Sequence, residues 1–257
     1  GLKITDAASR ILAIVKRTKV GTRDEYENIP KIWETALAAG RRNQPAEIRR
    51  VLAAALPNPN EPMQHWQAVV LGGGIINGLS QVGCSPRARI LELLDGKSAL
   101  LAGWNRAMQL AGPMADDKSV RIGTRYDALR LLGADTFEPG GAHLVKYLHG
   151  DVHDELTMGA ISGLADMDAS PAIDAIIAAF PDYGRSNQEL AITLLLRSES
   201  RITALLDAIE EGTISADALS AEQWLELKQT TDEDLRTRIA ALHAGRSRKD
   251  GGSQSAN

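Results

Sequence analysis

The sequence is poor in aromatic residues and lacks the alternating pattern of β-strands. Aromatic side chains make up only 4 % of the 257 residues, although hydrophobic residues make up 44 %. Alanine, leucine and isoleucine must therefore fill most of the core, and they suit closely packed helices better than sheets, whose strands favour β-branched and aromatic residues. Apolar and polar residues do not alternate over any useful length. The sequence predicts an all-α fold.

Cysteine, excess charge and long apolar runs are also scarce. The single cysteine, Cys84, excludes an intramolecular disulfide and any multi-cysteine metal site. A formal net charge of −4, from 29 basic and 33 acidic residues, disfavours a non-specific nucleic-acid binder. No apolar run approaches the roughly 20 residues that span a bilayer. We therefore expect no nucleic-acid partner and no membrane span.

What the sequence does contain is a repeat of about 30 residues, made of two short amphipathic helices, which is typical of an α-solenoid. An Ala-x-x-x-Leu pattern occurs three times between residues 119 and 212. Its copies are Ala128–Leu132, Ala160–Leu164 and Ala191–Leu195. The segment Gly74–Leu79 with Ser85-Pro86 matches Gly159–Leu164 with Ser170-Pro171 at a constant offset of 85 residues. The repeat therefore extends back to about residue 62.

These patterns predict three regions. Residues 1–61 should form irregular N-terminal helical repeats or a cap, and residues 62–245 should form the repeat array. Residues 246–257 are polar and rich in glycine and serine, which predicts a disordered tail or linker. For the whole chain we expect a right-handed superhelix of about 6–7 antiparallel helix pairs.

The run Gly72-Gly73-Gly74 lies in the middle of a predicted helix over residues 63–82. Each glycine in a helix interior costs about 1 kcal/mol relative to alanine, so the run needs a reason. Close approach of a neighbouring helix, or a kink, is the favoured one. A phosphate-binding loop is disfavoured because no strand precedes the run and no Gly-Lys-Ser/Thr follows it.

The helix pairs resemble HEAT repeats over residues 119–210, and more loosely over 62–118 and 213–243. The segment Ile202–Ile214, followed by Leu219 and Asp232–Arg238, resembles the HEAT segment of large exported planctomycete-type proteins. In that family the segment connects a β-propeller to a c-type cytochrome domain. The resemblance implies a segment of a larger multidomain protein, exported or periplasmic; without it, a cytoplasmic location is expected. The family's Cys-x-x-Cys-His haem motif has no match here, so we expect no cofactor.

Two small constellations are candidate sites. His149 and His153, with Asp151 and Asp154, supply residue types that bind zinc. They span a predicted turn at Gly150, however, so a turn in which Asp151 caps the next helix is favoured and no metal is expected. Cys84 precedes a predicted helix start, where a thiolate would be stabilised; a small half-buried filler is the favoured interpretation.

Five arginines are the candidate partner-binding residues, because they fall on predicted inner-row helices that line the concave side of HEAT arrays. They are Arg121, Arg125, Arg130, Arg185 and Arg197. The alternative is a solvated face whose arginines pair with Asp127, Glu155 and Glu189. Each of the four tryptophans lies in an apolar stripe, which favours core packing. They are Trp33, Trp66, Trp104 and Trp224.

No catalytic arrangement is evident, so the leading interpretation is a non-enzymatic scaffold that binds a protein partner or a neighbouring domain along its concave face. The alternative is a HEAT-like DNA-binding enzyme of the alkylpurine glycosylase type, which uses a basic groove with tryptophans and a catalytic aspartate. The net charge of −4 argues against it. The sequence leaves open a third interpretation, a HEAT-like chromophore lyase.

Overall fold

A computed structural model describes residues 6–19 and 22–253, with side chains as far as residue 244. Within these residues every regular element is helical and no strand is present, so the predicted all-α class is confirmed. The chain divides into two compact units. The first contains Gly1–Tyr147 and Glu155–Asp168, and the second contains Leu148–Asp154 and Ala169–Asn257. The predicted boundary at residues 61/62 lies inside the first unit and stays a prediction.

The helices of the first unit have the following bounds: α1 (Ala7–Arg17), α2 (Arg23–Arg42), α3 (Pro45–Ala55), α4 (His65–Ala68), a π-helical segment (Val69–Ile76), α5 (Asn77–Gln81), α6 (Pro86–Leu94), α7 (Ser98–Asp116), α8 (Ile122–Leu132), a short π-helical turn (Phe137–Gly141), α9 (Ala142–Val145) and α10 (Asp154–Ala165), whose first residue belongs to the second unit. Because α4, the π-helical segment and α5 are continuous, we call His65–Gln81 the glycine helix.

The second unit contains α11 (Ser170–Ala178), a 3₁₀ turn (Phe180–Asp182), α12 (Arg185–Leu195), α13 (Glu199–Glu210), a second 3₁₀ turn (Ala216–Ala218), α14 (Ala221–Leu227) and α15 (Glu233–Ser253). The backbone of α15 continues into the predicted tail, 246–257. Side chains beyond residue 244, and residues 254–257 altogether, lie outside the described residues, so the disordered tail stays a prediction.

Helix starts follow the sequence signals where a short polar side chain can accept a backbone N–H. Asp6 accepts the N–H of Ser9 at 3.0 Å at the start of α1. Ser220 and Gln223 form a reciprocal capping box at the start of α14. Asp151 does not cap α10, since that helix begins only at Asp154, and the predicted cap is wrong by one turn.

Four helices of the first unit lie side by side and run in the same direction: α2, the glycine helix, α8 and α10. Between α2 and the glycine helix, contacts near the start, middle and end join residues that are 40 positions apart. The pairs are Glu25–His65, Trp33–Gly73 and Arg41–Gln81. Between α8 and α10 the offset is 30–33 positions, in the pairs Gly123–Glu155, Tyr126–Gly159 and Gly133–Gly163. In each pair of helices the residue numbers of the contacts rise together, so the two helices run parallel.

Glycines make the contacts between these parallel helices unusually close. A Cβ on Gly40 would lie 2.7 Å from the carbonyl oxygen of Ile75, and one on Gly78 would lie 2.5 Å from that of Leu37. A Cβ on Gly72 would overlap the backbone of Asp127 on the other side of the glycine helix. The glycine run is therefore explained by close approach of two neighbouring helices, α2 and α8, as the sequence predicts.

Candidate functional site

Side chains from α2 and α8 meet above the glycine helix at Gly73. A Cβ on Gly73 would contact the carboxylate of Asp127, and would lie 3.1 Å from Cδ1 of Trp33. Because glycine has no side chain, residues of the two flanking helices converge at this point instead of being kept apart. We call Trp33, Gly73, Asp127 and the neighbouring Glu155 the Gly73 site.

Asp127 is a buried carboxyl group without a donor. Only 7 % of the residue is exposed, and no hydrogen bond or ion pair to its carboxylate is found among the described residues. Burial raises the pKa of Asp127 well above its usual range, and the negative charge of Glu155 raises it further, while Arg130 acts in the opposite direction. The group therefore favours its neutral form until something supplies positive charge or donors.

Arg130, one turn beyond Asp127 on α8, forms a buried ion pair with Asp166, which directly follows α10. Arg130, which is 1 % exposed, donates from Nη2 to Asp166 Oδ2 at 2.5 Å, and Ser80 Oγ donates to Asp166 Oδ1 at 2.6 Å. The Nε and Nη1 atoms of Arg130 are buried without a hydrogen-bond partner. The expectation that Arg130 lies on an exposed, partner-binding surface is wrong, since its charge is used to hold α8, α10 and the glycine helix together.

The other two predicted arginines of the first unit have partners within the chain. The guanidinium of Arg121 lies over the ring of Tyr26, which is 54 % exposed. This contact joins α2 to the start of α8 across the glycine helix, as Trp33 and Asp127 do further along. Arg125 is half-buried and donates from Nε to the carbonyl of Ala115 at 2.6 Å. Of Arg121, Arg125 and Arg130, Arg121 is the one that contacts the exposed side chain of Tyr26.

In the second unit the two predicted arginines are exposed. Arg185 opens α12 and forms an i,i+4 ion pair with Glu189 at 3.1 Å. Arg197 lies just beyond the last residue of α12, Leu195, and not within the helix as expected. The structure therefore does not bring the five arginines into one cluster within a unit, and whether any of them binds a partner stays a prediction.

The histidine candidates do not form a metal site in the described part of the chain. His149 Nδ1 lies 3.0 Å from Asp182 Oδ2, with both side chains more than half exposed, and His153 is exposed. Among the described residues no group of three or more histidine, cysteine, aspartate or glutamate side chains is arranged to hold a metal ion. Cys84 is half-buried and its Sγ accepts a hydrogen bond from Asn43 at 3.1 Å.

The tryptophans fall into two groups. Trp104 and Trp224 are 3 % and 2 % exposed, as predicted for core residues. Trp33 and Trp66 are only half-buried, so core packing alone does not describe them. Sequence reasoning missed Asp127 as a site residue because it treated this aspartate as half of an exposed ion pair. The signal that could have found it is its position three residues before Arg130, on a helix facing a glycine run.

A scan against protein-family models and a search of curated proteins found no match for this chain. No single helix in the described residues is long and apolar enough to cross a membrane. Only the helices His65–Gln81 and Pro86–Leu94 taken together, bent by 110°, meet that criterion of length and composition.

Proposed function

We propose that this chain is a HEAT-like α-solenoid scaffold that binds a protein partner, or a neighbouring domain of a larger polypeptide, along one face of its parallel helices. The observation that carries the proposal is that side chains from α2 and from the start and middle of α8 meet over the glycine helix, at Tyr26–Arg121 and at Trp33–Asp127. These side chains come from two helices that the glycine helix separates, so they lie on one face of the row of parallel helices. Repeat proteins use such surfaces for binding.

The residues on this face have the composition of a protein-binding site. Tyr26 is exposed, Trp33 is half-buried and Arg121 lies against an aromatic ring. Tyrosine, tryptophan and arginine are the residues that most often dominate binding energy in protein interfaces.

A photo-crosslinking amino acid at position 26 tests this proposal in cells that produce the protein. We expect a discrete covalent adduct from position 26, identified by mass spectrometry. The same amino acid at Ala88, an exposed position on α6, is the matched control and should give none. Absence of an adduct at 26, or the same adduct at both positions, would contradict the proposal.

The DNA-binding enzyme is a second candidate because a buried carboxyl group lies beside a half-buried tryptophan at the Gly73 site. A net charge of −4 weakens it, since duplex binding relies on neutralising phosphates. The test is release of a base from a duplex containing alkylated purines. Release by the wild-type protein that is lost in Asp127→Asn would favour this candidate over the scaffold.

A further inference from the structure

Asp127 is the carboxyl group of the Gly73 site for which the described residues supply no hydrogen-bond donor. Asp127 lies close enough to Glu155 for their repulsion to raise the pKa of Asp127, and Asp166 is buried nearby on the same side of α8. Arg130, one turn further along α8, donates to Asp166 at 2.5 Å and not to Asp127. A buried carboxyl group without a donor is costly, so one additional cationic donor would relieve the repulsion and satisfy Asp127.

The chemistry of the site favours an organic cation over a metal ion. The described residues contain no group of three ligands that could hold a metal, whereas an indole and a carboxylate are both present at Gly73. A planar guanidinium combines the two contacts, because it donates to carboxylates through a fork of N–H groups and packs on aromatic side chains. Arg121 already makes the aromatic half of this interaction, with Tyr26, on the same two helices.

We propose that the Gly73 site binds an arginine side chain of the protein partner, with the guanidinium donating to Asp127 and packing against Trp33. This proposal rests on the scaffold function, because it names the chemistry that the partner presents to that face. Asp127 retains 7 % exposure and Trp33 is half-buried, so both side chains are partly accessible to solvent.

The test uses two short blocked peptides, acetyl-Gly-Gly-Arg-Gly-Gly-amide and the same peptide with glutamine in place of arginine. NMR titration follows the indole N–H of Trp33, assigned by comparison with Trp33→Phe. We expect a saturable shift with the arginine peptide and none with the glutamine peptide. Asp127→Asn, which keeps the size of the side chain, should raise the dissociation constant of the arginine peptide by about tenfold or more. Asp174→Asn, the same change at an exposed position on α11, should not.

Equal shifts with the two peptides, no shift with either, or undiminished binding by Asp127→Asn would overturn the arginine site. If Asp127→Asn does not give a native NMR spectrum, Glu155→Gln at the rim replaces it and should also weaken binding. The two proposals fail separately. An adduct at position 26 without peptide binding rejects only the arginine site, and peptide binding without an adduct rejects only the scaffold function.

Discussion

The two units hold their helices together by different means. In the first unit, glycines let backbones approach each other: Gly40 and Gly78 on one side of the glycine helix and Gly72 on the other. In the second unit, glycines serve turns, as Gly150 and Gly212 do with φ of +80° and +83°, and large apolar side chains fill the space between helices. Among the described residues, glycines shape turns in the second unit, whereas in the first unit they also determine how near two helices come.

Buried polar groups differ in the same way. The first unit buries charged side chains, namely Glu25, Asp127 and the Arg130–Asp166 pair. The buried polar side chains described in the second unit are two neutral amides. Asn187 donates to the carbonyl of Asp154 at 3.1 Å, and Gln223 donates to the carbonyl of Glu189 at 3.0 Å. Charges buried between helices destabilise a protein unless an opposite charge or hydrogen bonds compensate them. Burial of Asp127 in the first unit is therefore an arrangement that stability alone would not favour.

The largest effect is expected in the second unit, from Phe180→Ala. Phe180 is 3 % exposed at the end of α11, and truncation of a buried phenylalanine costs about 3–5 kcal/mol. Because the second unit would lose stability while the first is untouched, the thermal transition should broaden or split. Calorimetry and denaturant titration measure this. An unchanged midpoint would show that side-chain packing does not support the second unit.

A comparable loss is expected in the first unit from Arg130→Met, because Asp166 would be left buried without its cation. Breaking one side of a buried ion pair costs about 3–5 kcal/mol. In the second unit, Asn187→Ala removes only a neutral hydrogen bond and should cost about 1 kcal/mol. Denaturant midpoints compare the two directly. If the two variants lost the same stability, the buried ion pair and the neutral hydrogen bond would contribute equally, which would contradict this prediction.

Gly72→Ala tests the close helix approach. Its Cβ would overlap the backbone of Asp127, which cannot move independently of α8, so we expect a loss of about 1–3 kcal/mol from overpacking. The matched control is Gly123→Ala in α8, where a Cβ would lie 3.6 Å from Glu155 Oε1, an ordinary contact. That change should stabilise by up to about 1 kcal/mol through helix propensity. Thermal melts showing the same sign for both variants would reject the packing explanation.

Asp127→Asn should change stability in a pH-dependent way. The folded pKa of Asp127 is raised by burial and by Glu155, against the weaker effect of Arg130. The folded state therefore holds a proton that the unfolded state has lost, and wild-type stability falls as the pH rises above about 4 toward the folded pKa. We expect Asn to be more stable than wild type at pH 8 and nearly equal at pH 4. A difference that grows toward low pH would mean that Asp127 is ionised in the folded protein.

The smallest effect is expected from Arg185→Ala, whose side chain is 91 % exposed in its pair with Glu189. Exposed i,i+4 pairs contribute less than about 0.5 kcal/mol and are screened by salt. The midpoint should stay within that range at physiological ionic strength. If Arg185→Ala lost as much stability as Arg130→Met, exposed and buried arginines of this chain would contribute equally to stability, contrary to this prediction.

Much of the local structure was predictable because it depends on neighbours in sequence. The all-α class follows from composition and spacing, and Ser220 caps α14 as a serine before a helix should. The cap of α10 was wrongly assigned to Asp151 because Gly150, with φ of +80°, begins an irregular turn, and the helix forms only at Asp154. Short-range signals find helices well and locate their ends less well, because the ends depend on how the chain leaves the neighbouring element.

The amino-acid sequence was enough to predict that the chain is helical and that the glycine run lies against a close neighbour. Only the tertiary structure decided which side of each helix is buried. The pattern that placed Arg130 on a surface is the same pattern that places it opposite Asp166, since both are polar residues at helical spacing. Burial of the Arg130 charge depends on Asp166, which lies 36 positions away in the sequence. The Gly73 site exists because side chains of α2 and α8 meet over a residue that has no side chain.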